Sequence, residues 1–308
     1  MSEDEADTSC CASCGIAEVD EVKLKECADC DLVKYCSDEC MQDHKSQHEE
    51  ACKKRAAELR DELLFMFPES THLGDCPICM LPLPLDLKKS TTMACCSKLV
   101  CYGCDYANEI REAEGKLQHK CAFCREPTPT KEEADKYQKK RIEANDPVAI
   151  RRKGRDQYNK GDYQSAFEYF ARAAELGYVD AHCWLSHLYH NGHGVEKDKG
   201  MEIYHLEEAA IGGNPTARYN LGYHEEENGD MKRAVKHWNI AAAQGQDESI
   251  KLLMFAFKEG YVNKDDLAAA LRAHQAAVDA TKSPQREAAE QNIGLSRRFF
   301  RIPSNNNN

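Results

Sequence analysis

Three stretches decide the architecture of the C-terminal half: residues 154–177 (GRDQYNKGDYQSAFEYFARAAELG), 181–213 (AHCWLSHLYHNGHGVEKDKGMEIYHLEEAAIGG) and 217–245 (ARYNLGYHEEENGDMKRAVKHWNIAAAQG). Laid over one another, they bring Gly154, Ser186 and Gly222 to the same position, which recurs beyond them at Met254, a period of about 32 to 36 residues. Each unit reads as a short apolar helix, then Gly, then Asp, then a second helix that ends in Ala-Ala and Gly. Gly supplies the left-handed residue after a helix end, and Asp162, Asp230 and Asp265 are predicted N-caps. The extra residues of the middle unit fall in Gly192–Asp198, a predicted interhelical loop, where insertions are tolerated. A helix pair of this length cannot bury its own apolar face, so successive pairs must stack into an all-α solenoid. The pattern predicts four units over residues 147–279, the fourth more degenerate. Ser283-Pro284, an N-cap followed by Pro at the first helical position, predicts a terminal helix over 283–300 that closes the solenoid, with a polar tail at 301–308.

Working toward the N-terminus, the chemistry changes. The chain has 308 residues and 17 cysteines, and all but Cys183 fall at or before Cys124. The acidic start MSEDEADTSCC has no apolar core of a secretory signal, and no run of residues approaches the ~18 apolar positions a membrane helix needs. The expectation is therefore a cytoplasmic or nuclear protein with no membrane association. In a reducing compartment, paired cysteines read as metal ligands, not disulfides.

The first block runs Cys11-x2-Cys14, Cys27-x2-Cys30, Cys36-x3-Cys40, His48-x3-Cys52. Ligands two or three residues apart converge on one ion from a tight turn or one helical turn, so eight donors predict two tetrahedral sites. Cys10, with the wrong spacing to Cys14, reads as a spare thiol. A charged helical connector is expected over 53–72, ending near Pro68. The second block, 76–127, holds Cys76-x2-Cys79, the adjacent pair Cys95-Cys96, Cys101-x2-Cys104 and Cys121-x2-Cys124: eight sulfurs, two more sites. A linker at 128–145 follows. The expected fold is thus two small zinc-stabilised fingers followed by an all-α helical-repeat solenoid, with about four zinc ions in all.

The first block, with Tyr35 before Cys36 and Ser37 after it, resembles the MYND zinc finger over residues 11–52. Interleaved ligation in that family implies that Cys11, Cys14, Cys36 and Cys40 hold one zinc, and Cys27, Cys30, His48 and Cys52 the other. It also implies a partner: short proline-containing peptides. The Trp often found between the last ligands in that family is His44 here, a position that reads as a solvated helix residue. The second block, with its CPIC start and CxxCR end, resembles an all-cysteine RING finger. The resemblance implies one zinc on Cys76, Cys79, Cys101 and Cys104, and another on Cys95, Cys96, Cys121 and Cys124. It further implies that Ile78 contacts a ubiquitin-conjugating enzyme and that Arg125 bridges that enzyme and ubiquitin. Ala122 stands where RING fingers usually carry Pro. The repeats resemble Sel-1-like repeats, relatives of the tetratricopeptide class. Together the resemblances imply a RING-type ubiquitin ligase or ligase subunit whose solenoid binds clients. The alternative is a non-catalytic scaffold in which all three modules only bind proteins.

Several other classes are set aside. The formal charge is −12 with every cysteine neutral. Zinc-bound thiolates add two negative charges at each of three all-cysteine sites and one at the mixed site, giving about −19. Such a chain repels phosphate backbones overall, so nucleic acid is not an expected partner. Four closed four-ligand sites leave no open position for a metal-bound water, and no catalytic residue is assigned. Cys183, beside His182 on an apolar repeat helix, reads as a packed thiol, and Tyr219, Trp238, Trp184 and Tyr204 as solenoid core. The basic clusters Lys139–Arg141, Arg151–Lys153 and Arg297–Arg301 read as solvated faces.

Overall fold

A computed structural model of the chain describes residues 10–18 and 23–299, with side chains described as far as residue 292. The expected tail at 301–308 and the side chains of the basic cluster at 297–301 lie outside these residues. The chain divides into two compact units, residues 1–66 and 67–308.

The first unit has a two-stranded antiparallel ribbon, β1 (Lys25–Glu26) and β2 (Lys34–Tyr35), with Lys25 opposite Tyr35. Helix α1 (Asp38–Leu64) follows. Ser37 caps it, its hydroxyl accepting from the Cys40 N–H at 3.2 Å, and Asp38 and Glu39 place negative charge at the positive end of the helix dipole. The last MYND-type ligands and the charged connector are one continuous helix. The reason is local: KKRAAELRDELL contains no Gly or Pro and is almost entirely strong helix formers, so nothing ends the helix at Cys52. Arg55 adds to it by pairing with Asp31, Glu58 and Glu62.

In the second unit a 3₁₀ turn (Leu87–Lys89) leads into the antiparallel pair β3 (Ser90–Thr92) and β4 (Leu99–Cys101), and then α2 (Tyr102–Glu114). The core of this small ββα body is Leu83, Met93, Val100 and five cysteines, Cys76, Cys95, Cys101, Cys104 and Cys121. Helix α3 (Lys131–Glu143) starts at a reciprocal capping box between Thr130 and Glu133. Three antiparallel helix pairs follow: α4 (Pro147–Asn159) with α5 (Tyr163–Glu175), α6 (Val179–Asn191) with α7 (Lys199–Ile211), and α8 (Pro215–Glu227) with α9 (Met231–Ala243). Helices α10 (Asp247–Lys258) and α11 (Lys264–Ala280) add a fourth pair, and α12 (Pro284–Phe299) ends the described chain.

The recurring position of the sequence alignment is where the two helices of a pair cross. A Cβ on Gly154 would stand 2.8 Å from the Phe170 ring, and one on Gly222 would overlap the Trp238 indole. Ser186 is buried at the equivalent point. Small residues there admit large aromatics from the second helix, and Phe170 and Trp238 are completely buried; each such burial stabilises by about 2–3 kcal/mol. Met254, at the same position of the fourth pair, is 46% exposed.

Asp162 and Asp230 are N-caps, accepting from Ser165 and Arg233 N–H groups at 3.1 and 3.0 Å. Asp265 is not. Helix α11 begins earlier, capped by Asn263, whose side chain accepts from Asp266 N–H at 2.8 Å; Asn263 has the extended backbone a cap needs, and Asp265 falls in the first turn. Ser283 does cap α12, accepting from Arg286 N–H at 3.2 Å. That helix does not close the solenoid, however. It lies against α2 of the second finger, where a Cβ on Gly103 would stand 2.8 Å from the Arg286 side chain. Finger and solenoid are thereby one body.

Candidate metal centres

Tight turns of a single kind build the cysteine clusters. Cys11, Cys27, Cys76 and Cys121 each open a turn in which the residue four positions on donates its N–H back to the cysteine carbonyl: Gly15 at 2.9 Å, Asp31 at 3.2 Å, Met80 at 2.9 Å and Arg125 at 3.1 Å. These residues have φ of 75°, 55°, 57° and 66°, the left-handed region that only Gly enters freely. The reversal points the first and fourth side chains the same way, which is why C-x2-C supplies two ligands to one ion.

The Cys95-Cys96 pair uses a fifth copy of this turn. Ser97, with φ of 54°, donates to Met93 O at 2.8 Å. Met93 occupies the first position and is buried as an apolar residue. The two thiols come from the third and fourth positions, at the tight bend, where adjacent side chains diverge and both reach the site.

The donors gather in four sets of four: Cys11, Cys14, Cys36 and Cys40; Cys27, Cys30, His48 and Cys52; Cys76, Cys79, Cys101 and Cys104; Cys95, Cys96, Cys121 and Cys124. Within each set all ligand atoms lie within 4.8 Å of one another. A zinc tetrahedron with bonds of about 2.3 Å has sulfur–sulfur edges of about 3.8 Å. One spacing in each set matches, 3.6 Å for Cys14–Cys36, 3.7 Å for Cys27–Cys52, 3.8 Å for Cys79–Cys101 and 3.9 Å for Cys96–Cys121, while Cys95–Cys124 is shorter at 3.3 Å. His48 Nε2 stands 3.0 Å from Cys30 Sγ. Four clusters of this chemistry fit about four zinc ions. Cys10 belongs to none of them and is exposed.

The electrostatics call for a cation. Backbone N–H groups point at sulfur: Cys104 N–H at Cys101 Sγ (3.4 Å), and Phe123 and Cys124 N–H at Cys121 Sγ (3.4 and 3.5 Å). The Cys14 backbone N–H holds the Cys11 thiol down to about 6, while hydrogen bonding to Cys14, Cys40 and Cys11 pushes Cys36 up to about 12. Burial likewise raises Cys52 to about 12. In these two sets a lowered thiol, Cys11 or Cys27, stands beside a raised one, Cys36 or Cys52, an opposition that a bound dication relieves.

Other predicted positions fall as follows. Ile78, between its two ligands, is 41% exposed. Arg125 sits at the left-handed turn position and is held within the finger: its Nη1 donates to Asn108 Oδ1 at 2.6 Å, and Nη2 lies 3.8 Å from the buried carboxylate of Glu112. His44 is not a freely solvated residue, since its Nδ1 meets Tyr35 OH at 3.1 Å and its ring stacks on His48. Cys183 is half-buried, and burial pushes its thiol up. Trp238 is core, but Tyr204 is 46% exposed, and Trp184 lines a solenoid groove of about 620 Å³ with Tyr158, His187, Tyr223 and His224.

Three supporting residues escaped the sequence reading. Arg286 donates to Cys79 Sγ at 3.3 Å and to Pro82 O at 2.7 Å. Arg141 donates twice to Cys95 O, at 3.1 and 2.8 Å. Glu112, almost wholly buried, accepts from Lys120 N–H at 3.3 Å. The basic cluster at Lys139–Arg141 was the only signal for any of them.

The geometry defines a protein with zinc-organised fingers and a helical-repeat body, a class whose modules bind other proteins. Comparison with known sequences bears on both parts. The MYND finger profile matches residues 11–52, and the Sel1 repeat profile matches residues 152–178, 179–214 and 215–246. Neither match extends over the second cysteine block. Chitin synthase regulatory factor 4 of Schizosaccharomyces pombe is 31% identical over 86 residues, which make up 28% of this chain and 14% of that protein. Among solved structures, a Sel1 repeat protein from Oxalobacter formigenes shares 26% identity over 55% of this chain and 51% of that one, at a TM-score of 0.42. The protective antigen c5321 of uropathogenic Escherichia coli, which displays an SLR fold, shares 20% identity over 66% and 42%, at a TM-score of 0.37. The chain therefore carries a MYND finger and Sel1 repeats, and is equipped for zinc-dependent protein interaction.

Proposed function

We propose that this chain is a zinc-dependent adaptor, in which the sixteen donors named above are closed structural ligands and the exposed surfaces bind protein partners. One observation carries the reading: the donors fall into complete sets of four, so each ion would be fully coordinated and its role would be to shape a surface. The MYND finger would take short proline-containing peptides. The aromatic groove of the solenoid would take a client segment, with Tyr158, Trp184 and Tyr223 as rigid anchors. Native mass spectrometry tests the metal content, since fewer than four zinc ions per chain would remove a site. Pull-down with the Trp184→Ala/Tyr223→Ala variant tests the groove: partners captured by the intact chain and kept by the variant would sink that assignment.

A second reading is favoured by a specific observation, the exposed Ile78 on the first RING-like turn. It makes the second finger a docking site for a ubiquitin-conjugating enzyme, and the chain a ligase or ligase subunit. Against it, Arg125 is engaged by Asn108 and Glu112 and would have to leave them to bridge enzyme and ubiquitin. Ubiquitin, activating enzyme and a panel of conjugating enzymes decide the matter. Chains that form and disappear with Ile78→Ala and Arg125→Ala support the ligase; no chains with any enzyme leaves the adaptor alone.

A further inference from the structure

Where the second finger meets the first repeat, a cleft of about 610 Å³ opens between β3–β4 and helices α4 and α6. One wall carries Arg151, Arg152 and Arg155; the other carries Lys98 and the hydroxyls of Ser90, Thr91, Thr92 and Ser97. Arg155 stands four residues after Arg151 and three after Arg152 on α4, and so neighbours both on the helix surface. Arg151 belonged to a cluster that the sequence presented as a solvated face; its side chain is in fact only 13% exposed.

The charge in this cleft is not balanced. Among the described residues Asp180 is its one lining carboxylate, and it is already committed, 2.8 Å from His72 Nε2 and 3.8 Å from Arg151. No acidic side chain among the described residues lies within ion-pair reach of Arg152, Arg155 or Lys98. Partial burial, together with the like charges of Arg151 and Arg152, pushes the Arg155 guanidinium below its ordinary value. Three buried polar atoms on the lining residues have no hydrogen-bond partner: His72 Nδ1, Arg151 Nε and Ser90 Oγ. His72 is itself nine-tenths buried. Cationic side chains with no acidic partner in reach mark a cleft that an anion would complete.

We propose that this cleft binds the phosphoryl group of a phosphoserine- or phosphothreonine-containing peptide. A phosphoryl group brings close to two negative charges and three acceptor oxygens, which suits the three cations Arg152, Arg155 and Lys98 better than a single carboxylate does; the Thr91 and Ser97 hydroxyls are already taken by Asp105 and Asp146. The rest of the chain argues for a peptide over a larger polyanion. With a net charge of −12, the surface repels an extended nucleic acid or an anionic membrane, whereas screening over about 8 Å leaves a single phosphate in the cleft feeling chiefly its own walls. This site does not depend on whether the second finger docks a conjugating enzyme, since it uses none of that finger's Ile78 or Arg125 surface.

The test uses zinc-loaded full-length protein. A degenerate phosphoserine/phosphothreonine peptide library, its unphosphorylated twin, inorganic phosphate, phosphatidylserine vesicles and a single-stranded oligonucleotide are the probes. The phosphorylated library is expected to be retained at least about ten-fold over its twin, to be displaced by inorganic phosphate, and to be lost with Arg152→Glu/Arg155→Glu. Lys98→Ala, on an exposed turn, should weaken retention several-fold and carries the test if the double variant loses its helicity or zinc. Equal retention of both libraries, tighter binding of vesicles or oligonucleotide than of phosphopeptide, or retention untouched by these substitutions would each overturn the proposal.

Discussion

Arg286, on the last helix, donates its Nη2–H to Cys79 Sγ at 3.3 Å, tying the C-terminal end of the described chain to the first turn of the second finger. The same side chain donates Nη1–H to Pro82 O and Thr281 O, both at 2.7 Å, and Nη2–H to Leu81 O at 3.2 Å. Against the burial that opposes ionisation, the Leu81 N–H and this guanidinium hold the Cys79 thiol down to about 7. A metal ligand is thus oriented by a residue some two hundred positions away in sequence.

Arg286→Ala should therefore cost stability and metal together. Losing several charge-assisted hydrogen bonds at a buried site is worth about 3 kcal/mol, and loss of a partner that orients a ligand typically weakens metal binding about 10–100-fold. Thermal melts and zinc release to a chromogenic chelator check this. An unchanged Tm with unchanged release would show that the contact is incidental.

Chelation should separate the two kinds of core. The second finger buries five cysteines with only Leu83, Met93 and Val100, too little apolar surface to hold a fold without metal. The solenoid core is Phe170, Trp238, leucines and alanines. Excess chelator is expected to abolish ordered signals from the fingers in NMR spectra while circular dichroism keeps most of the helical signal. Complete loss of helicity would contradict this division.

The Gly222→Ala variant drives a methyl group into the Trp238 indole. Overpacking of this kind costs about 1–3 kcal/mol, so Tm should fall by several degrees. Met254→Ala, at the equivalent but exposed position of the fourth pair, should change stability by less than about 0.5 kcal/mol. Urea titration of both variants provides the comparison.

The solenoid should lose stability in mild acid through His205. Burial, and then the neighbouring His182, bring its imidazole down to about 4 from an ordinary value near 6.5. The unfolded chain takes the proton more readily, so this contribution is fully present above about pH 6.5 and fades as pH falls toward 4. The total is about 3 kcal/mol. His205→Asn should flatten the pH dependence of urea melts between pH 7 and 4.5; an equally steep dependence in the variant would assign it elsewhere.

Much of this protein was legible without coordinates because its signals are local. The C-x2-C spacing sets a turn whose fifth residue is left-handed, and the repeat spacing marks helix pairs that must stack. Asp265 shows the limit of such reading, since two candidate caps two residues apart are separated only by where the backbone turns extended. His44 shows another: nothing in HKSQH announces a hydroxyl from Tyr35.

By itself, the sequence determined the inventory: which donors could hold zinc, how many helix pairs stack, and which position, that of Gly154, recurs from pair to pair. Tertiary structure decided what those parts do to one another. Met93, at the head of the fifth turn, lets neighbouring Cys95 and Cys96 serve one site. The terminal helix packs on α2 instead of capping the solenoid, and Arg151, Arg152 and Arg155 face Lys98 across a cleft with one committed carboxylate. The physical reason is range: turns and caps are set by a few adjacent dihedrals, whereas charge balance in a cleft depends on residues brought together only when separate elements pack.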